Sequence, residues 1–153
     1  MSDVTYKGPW HAREVARFLE GSGVPIRLAC CGADGFPRVI SLWYRYHEGQ
    51  LICVTHRSAQ LLSLLARDPR VGFEISPNEP PYHGVRGQGL AQIEELGAES
   101  ALQDMLARYL GGTESSLARW LMSRSDEERL ITITPSRFFS WDYRERMADA
   151  VSD

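Results

Sequence analysis

Apolar positions recur along this chain with two periods, two residues in about six stretches and close to 3.6 in four others. Val15, Phe18 and Leu19 fall on one face of an opening helix over about 9–21, with Pro9 at its first turn and Gly21 and Gly23 closing it. Ile26, Leu28 and Cys30 then alternate with Arg27, Ala29 and Cys31, a strand that Ala33, Asp34 and Gly35 turn into its neighbour. In that neighbour Val39, Ser41 and Trp43 share one face, while Arg38, Ile40, Leu42 and Tyr44 share the other. Both faces carry large apolar groups, so both need a cover: two layers of core, or core on one side and a ligand or partner subunit on the other. His47, Glu48 and Gly49 turn the chain into the short apolar strand QLICVT. It feeds a helix bearing Leu61, Leu64 and Leu65, with Ser58 as N-cap and Asp68-Pro69 as its stop.

RVGFEIS follows as a strand with Val71, Phe73 and Ile75 inward. A stiff loop holding Pro77, Pro80 and Pro81 leads into VRGQGLAQIEEL, where Gly84, Gly87 and Gly89 mark a bend, a bulge or a close approach to the backbone. Ala101, Leu102, Met105, Leu106, Tyr109 and Leu110 define an amphipathic helix that Gly111-Gly112 ends. A shorter helix from Thr113 is expected to bury Leu117, Trp120 and Leu121. After the polar turn SRSDEER, Ile131 and Ile133 alternate with Thr132 and Thr134 in a last strand that Phe138, Phe139, Trp141 and Tyr143 prolong. Residues 147–153 read as a frayed tail. The pattern predicts one domain over 1–153: an antiparallel sheet or barrel, its strands at about 24–95 and 129–141, with peripheral helices, two of them at about 98–122.

Composition narrows the partners. A net charge of -3 gives a nucleic-acid role no bulk support. Of the 17 basic residues all but Lys7 are arginine, the side chain that best fits phosphate and carboxylate, although a GC-rich coding sequence produces the same bias. Cys30, Cys31 and Cys53 lie in apolar runs without metal-ligand spacing and are expected to be buried reduced thiols. With no apolar signal core at the start and no run of membrane-spanning length, the expectation is a cytoplasmic protein without a membrane partner. No G-x-S-x-G, H-E-x-x-H or P-loop occurs, and VRGQGLA only partly imitates a dinucleotide-binding loop.

Candidate chemistry concentrates at 36–66. Thr55, His56, Arg57 and Ser58 sit where a strand becomes a helix, a junction whose free N–H groups and dipole favour an anion such as phosphate. The run RVISLW from Arg38 to Trp43, then Val54-Thr55, then THRSAQLLSLLARDPRVGFEI, resembles the FMN-binding split-barrel family of the pyridoxamine 5'-phosphate oxidase type. The resemblance spans about 24–93, and the closing ITPSRFFSWD is similar to the last barrel strand of many relatives. It implies a mainly β fold, a six-stranded antiparallel split β-barrel with Greek-key connections and peripheral α-helices. It further implies a homodimer with two flavin sites at the subunit interface and a small-molecule substrate.

Carried over by position, the resemblance puts cofactor contacts at Arg38, Val39, Ile40, Ser41 and Trp43, with Val54 and Thr55 opposite and Arg57, Ser58 and Gln60 toward the phosphate. Arg38 is the first candidate for a bidentate phosphate grip, a surface salt bridge being its competing role. Relatives carry Ser-x-Lys where this chain has Ser58-Ala59-Gln60. Gln60 brings no charge, so Arg57 or Arg86 would have to compensate. The implied activity is FMN-dependent hydride transfer, with a deazaflavin coenzyme as the alternative. A non-catalytic flavin or haem module and a purely structural dimerisation domain are the rivals. The chain stops soon after SRFFSWDYRERM, without the arginine-rich ending of the vitamin-forming oxidases. His56 and Tyr82-His83 are the candidates for substrate contact or proton transfer, with a structural role as the competing reading. His11, His47, Asp104, Glu94 and Glu95 read as solvated. Arg137 and Trp141 either line the ring pocket or belong to the core.

Overall fold

The computed structural model describes residues 3–148. The expected tail over 147–153 therefore lies largely outside the described residues. The strands are β1 (Thr5–Lys7), β2 (Ile26–Cys31), β3 (Pro37–Leu42), β4 (Arg45–His47), β5 (Gln50–His56), β6 (Arg70–Ile75), β7 (His83–Glu94) and β8 (Glu128–Asp142). The helices are α1 (Ala12–Gly21), α2 (Gln60–Arg67), α3 (Ala98–Leu110) and α4 (Ser116–Ser123). One eight-stranded sheet runs β3-β2-β6-β7-β8-β5-β4. Its pairings along that path are antiparallel, and β1 adds a short parallel pairing to β8.

Six strands lie where the pattern put them, so the expected count of six rises to eight through β1 and β4. Each of these two has three residues, too few for a period of two to declare itself. The stretch 36–47 also differs from the expected single strand paired with QLICVT. β3 pairs with β2 at one edge of the sheet, and β4 pairs with β5 at the other. Trp43 and Tyr44 carry the chain across. Tyr44 is fully buried at the crossing and donates its hydroxyl to Leu19 O at 2.8 Å.

The inward residues of the strands close one core: Ile26 and Leu28 from β2, Leu51 and Cys53 from β5, Phe73 and Ile75 from β6, Ile131, Ile133 and Phe138 from β8. Burying a side chain of this size stabilises by about 1.5–3 kcal/mol. α1 seals one end with Val15 and Leu19, and α2 another with Leu61, Leu64 and Leu65. α1 starts at Ala12 rather than near Pro9, because the His11 N–H donates to Glu14 Oε2 at 2.9 Å and caps the helix there. The N-cap of α2 is Ala59 rather than Ser58, whose hydroxyl is engaged elsewhere. Cys31 is exposed, contrary to expectation: it is the last residue of β2, on the face opposite the buried Ile26, Leu28 and Cys30.

The glycines of β7 mark close approaches and a bulge at Gln88/Gly89. A Cβ on Gly87 would meet the Phe73 ring and the Arg137 carbonyl, and one on Gly84 would meet Ser76. α3 lies over the outer side of β5 and β8, burying Ala101 and Met105 against Leu130. α4 packs on α3 through Ala118, with Leu121 and Met122 beside it. The expected burial of Leu117 and Trp120 fails: they are 51% and 53% exposed, because Ala118 is the residue that permits close helix approach.

Candidate active site

Trp43 stacks on Tyr109 of α3 with ring centroids 5.1 Å apart and planes 7° from parallel. This pair stands beside a cleft of about 390 Å³ lined by Pro25, Ser41, Leu42, Trp43 and Val54 from the sheet side, Leu102, Met105 and Leu121 from α3 and α4, and Glu128 at the start of β8. Three of the residues singled out from sequence, Ser41, Trp43 and Val54, therefore meet in one cavity. Ser41 comes from β3 at one edge of the sheet, Trp43 from the segment that follows it and Val54 from β5, next to the strand at the other edge; curling of the sheet brings β3 to β5.

The other singled-out positions do not line this cleft. Val39 is 69% exposed on the uncovered face of β3, and Ile40 packs against the core. Arg38 is held at the far end of β3, where it pairs with Asp34 at 3.2 Å and donates to Phe36 O at 3.3 Å. Of its two sequence-level roles, the salt bridge is the one observed. Thr55 is half-buried opposite Arg129, and Arg57, Ser58 and Gln60 are exposed at the β5–α2 junction. The Arg57 guanidinium makes no hydrogen bond or ion pair among the described residues.

His56 organises that junction. The Ser58 backbone N–H donates to His56 Nδ1 at 3.1 Å, which makes Nδ1 the acceptor nitrogen. Ser58 Oγ lies 2.7 Å from the same nitrogen, and Nε2 donates to Glu127 Oε2 at 2.9 Å. The His56 hydrogen bond holds the Glu127 carboxyl below the usual range, with Arg124 at 3.5 Å assisting. Glu128 behaves oppositely. Burial pushes its carboxyl up, against the pull of His56 and Arg124.

His83 accepts a structural role: Nδ1 lies 2.9 Å from Pro81 O, and its ring sits edge-on to Phe18 and Trp10. Asp104, expected to be solvated, is the ion-pair partner of Arg45. Arg137 lines a separate shallow hollow with Arg86 and Phe139, away from the cleft. Burial raises the Cys53 thiol to about 12, and it is inert as a nucleophile. The sequence pattern did not single out Pro25, Leu42, Leu102, Met105, Leu121 or Glu128 as site residues. Glu128 was legible in one respect, because a period of two carried back from Leu130 puts it on the face that carries Leu130.

No protein-family profile matches the chain, and no curated protein matches it. Solved structures do. A conserved hypothetical protein from Mycobacterium tuberculosis superposes with a TM-score of 0.77 at 26% identity, covering 90% of this chain and 88% of that one. An F420 reductase superposes at 0.69 and 19% identity, covering 85% and 97%. A candidate pyridoxamine 5'-phosphate oxidase from Listeria innocua superposes at 0.63 and 18% identity, covering 82% and 94%. The curled sheet with helices at its rim is thus the split barrel, the fold of the pyridoxamine 5'-phosphate oxidase-like proteins.

Proposed function

We propose that the chain is an oxidoreductase that binds a flavin-type coenzyme, FMN or its deazaflavin counterpart, at the interface of a homodimer and acts on a small organic substrate. The observation that carries this reading is the meeting of Ser41, Trp43 and Val54 in one apolar cleft beside the open edge of β3. The residues present fit such a coenzyme. β3 is an edge strand whose outer row of backbone N–H and C=O groups has no partner among the described residues, a ready match for the hydrogen-bonding rim of a flat heterocycle. The Trp43–Tyr109 pair gives the cleft a flat aromatic wall.

A phosphate would be held at the β5–α2 junction by the free Arg57 guanidinium, by Ser58 and by Gln60. The bound coenzyme supplies hydride transfer, and the chain's part is to orient it and to exclude water. Gln60 in place of a lysine and the ion-paired state of Arg38 favour the deazaflavin form over FMN, in line with the likeness to an F420 reductase. A cytoplasmic setting accompanies the proposal, consistent with three free cysteines; no helix among the described residues is long and apolar enough to cross a membrane.

The test is a titration of the purified protein with FMN and with the deazaflavin coenzyme, read by absorbance and fluorescence. Saturable binding of either, weakened about tenfold by Arg57→Ala, is the expected result. Failure of both coenzymes to bind defeats the proposal. Saturable haem binding in their place would favour a carrier.

A further inference from the structure

Ser58, His56 and Glu127 form one series of side-chain hydrogen bonds across the β5–α2 junction. The Ser58 N–H donates to His56 Nδ1 at 3.1 Å, so that nitrogen carries a lone pair and the ring proton is on Nε2. Ser58 Oγ lies 2.7 Å from the same lone pair, which makes the hydroxyl the donor, and Nε2–H donates to Glu127 Oε2 at 2.9 Å. The main chain fixes the group: the Arg57 N–H donates to Glu127 O at 2.7 Å, and the Ala59 N–H to His56 O at 2.9 Å. Glu127 is held as a carboxylate, because the His56 hydrogen bond and Arg124 at 3.5 Å keep its carboxyl below the usual range. Holding a phosphate at this junction calls on Ser58 as a donor. It needs neither His56 as acceptor of the hydroxyl proton nor Glu127 behind the ring.

We propose that Ser58 is a nucleophile, with His56 as its general base and Glu127 positioning that base, and that the junction hydrolyses small carboxylic esters. Hydroxyl, imidazole and carboxylate in hydrogen-bonded series are the arrangement that activates a serine, here with Nδ1 facing the nucleophile and Nε2 the carboxylate. Ser58 is exposed, so an ester reaches Oγ from solvent. In the first step Oγ bonds to the ester carbon, the hydroxyl proton passes to Nδ1, and the carbonyl electron pair moves onto oxygen. Donors for that oxygen lie on the nucleophile's own turn. Gln60 and Leu61 open α2 with N–H groups that have no backbone acceptor among the described residues, and the Ser58 N–H loses its acceptor when Nδ1 takes the proton. Collapse expels the alcohol with the proton from Nδ1 and leaves an acyl-Ser58. Water then gives a proton to Nδ1 and its oxygen to the acyl carbon, and Ser58 Oγ departs with that proton. The net change is ester plus water to acid plus alcohol, and no coenzyme takes part, so the proposal does not rest on the oxidoreductase reading.

The test uses the whole protein without added coenzyme. A fluorophosphonate bonds to an activated serine with loss of fluoride, and peptide mass spectrometry of the treated wild type should find its adduct on Ser58. With 4-nitrophenyl acetate as the turnover probe, Ser58→Ala and His56→Ala should each lower kcat about 100-fold, and imidazole in the buffer should restore part of the His56→Ala loss. Glu127→Gln should lower kcat and leave KM unchanged, as fits a residue that acts through His56. Ser63→Ala, at an exposed position of α2, should turn over as wild type does. Melting curves report the folding of each variant, and the adduct on wild type decides without any variant. No adduct, an adduct confined to another serine, or turnover that survives Ser58→Ala overturns the proposal. Coenzyme titration is read separately, so loss of the coenzyme reading and loss of the esterase site are distinct outcomes.

Discussion

At the scale of single residues, the electrostatics around β8 set a pH dependence whose sign is fixed. The folded-state pKa of Glu128 lies above its unfolded value because burial disfavours the carboxylate. Between those two values the folded state holds the proton more tightly, so the Glu128 contribution to stability falls as pH rises through that window and levels off above it. Glu128→Gln removes this slope, and denaturation midpoints measured from the ordinary carboxylate range up to neutral pH should converge at the acid end and favour the variant at neutrality. Arg108 works in the opposite sense. It donates to Leu19 O at 2.8 Å, to Glu20 O at 3.0 Å and to Ser22 O, the terminal carbonyls of α1, and lies over the Tyr44 ring at 4.7 Å. A cation at a helix C-terminus satisfies carbonyls that the helix itself leaves without a donor, here together with the Tyr44 hydroxyl at Leu19 O. Arg108→Ala should lower stability by about 2 kcal/mol in urea denaturation, and Arg108→Lys should restore only part of it.

At the scale of elements, β7 and β8 form the longest pairing of the sheet, and glycines let it curve. Gly87 sits under the Phe73 ring and against the Arg137 carbonyl, with room for hydrogen alone. Gly87→Ala should cost about 1–3 kcal/mol, seen as a lower melting temperature, because the ring and two strands must give way together. The three glycines were legible in the sequence as a bend, a bulge or a close approach, and the structure contains the bulge and the approaches. The β3 to β4 passage was not legible. Its residues keep one alternation from Arg38 to Tyr46, and no turn residue announces the crossing. Burial of Tyr44 between α1 and α3 imposes it.

At the scale of the whole molecule, the outer face of β3 carries Val39 and follows Phe36, which are 69% and 70% exposed, and Leu90 of β7 is 56% exposed. An apolar sheet face of this kind is the surface expected to be covered in the proposed homodimer. Sedimentation should therefore find two chains per particle, and Val39→Asp should shift the population to single chains and weaken coenzyme binding with it. Single chains in wild type, together with full coenzyme affinity in Val39→Asp, would separate the site from any interface.

By itself, the sequence determined the six longer strands, the four helices and the inward faces of β2, β6 and α2, because these follow from local periods and breakers that need no distant partner. It also singled out Ser41, Trp43 and Val54. Tertiary structure decided which strands are neighbours, since the strands at the two edges of the sheet, β3 and β4, are separated by two residues in the chain. It also decided that Arg38 answers Asp34 and that His56 answers Glu127. Glu128, a turn residue to the eye, became the lone charge of an apolar cleft because α3 and α4 close over the strand it begins. Such a cleft is a property of surfaces brought together from 25 to 128, and no local pattern encodes it.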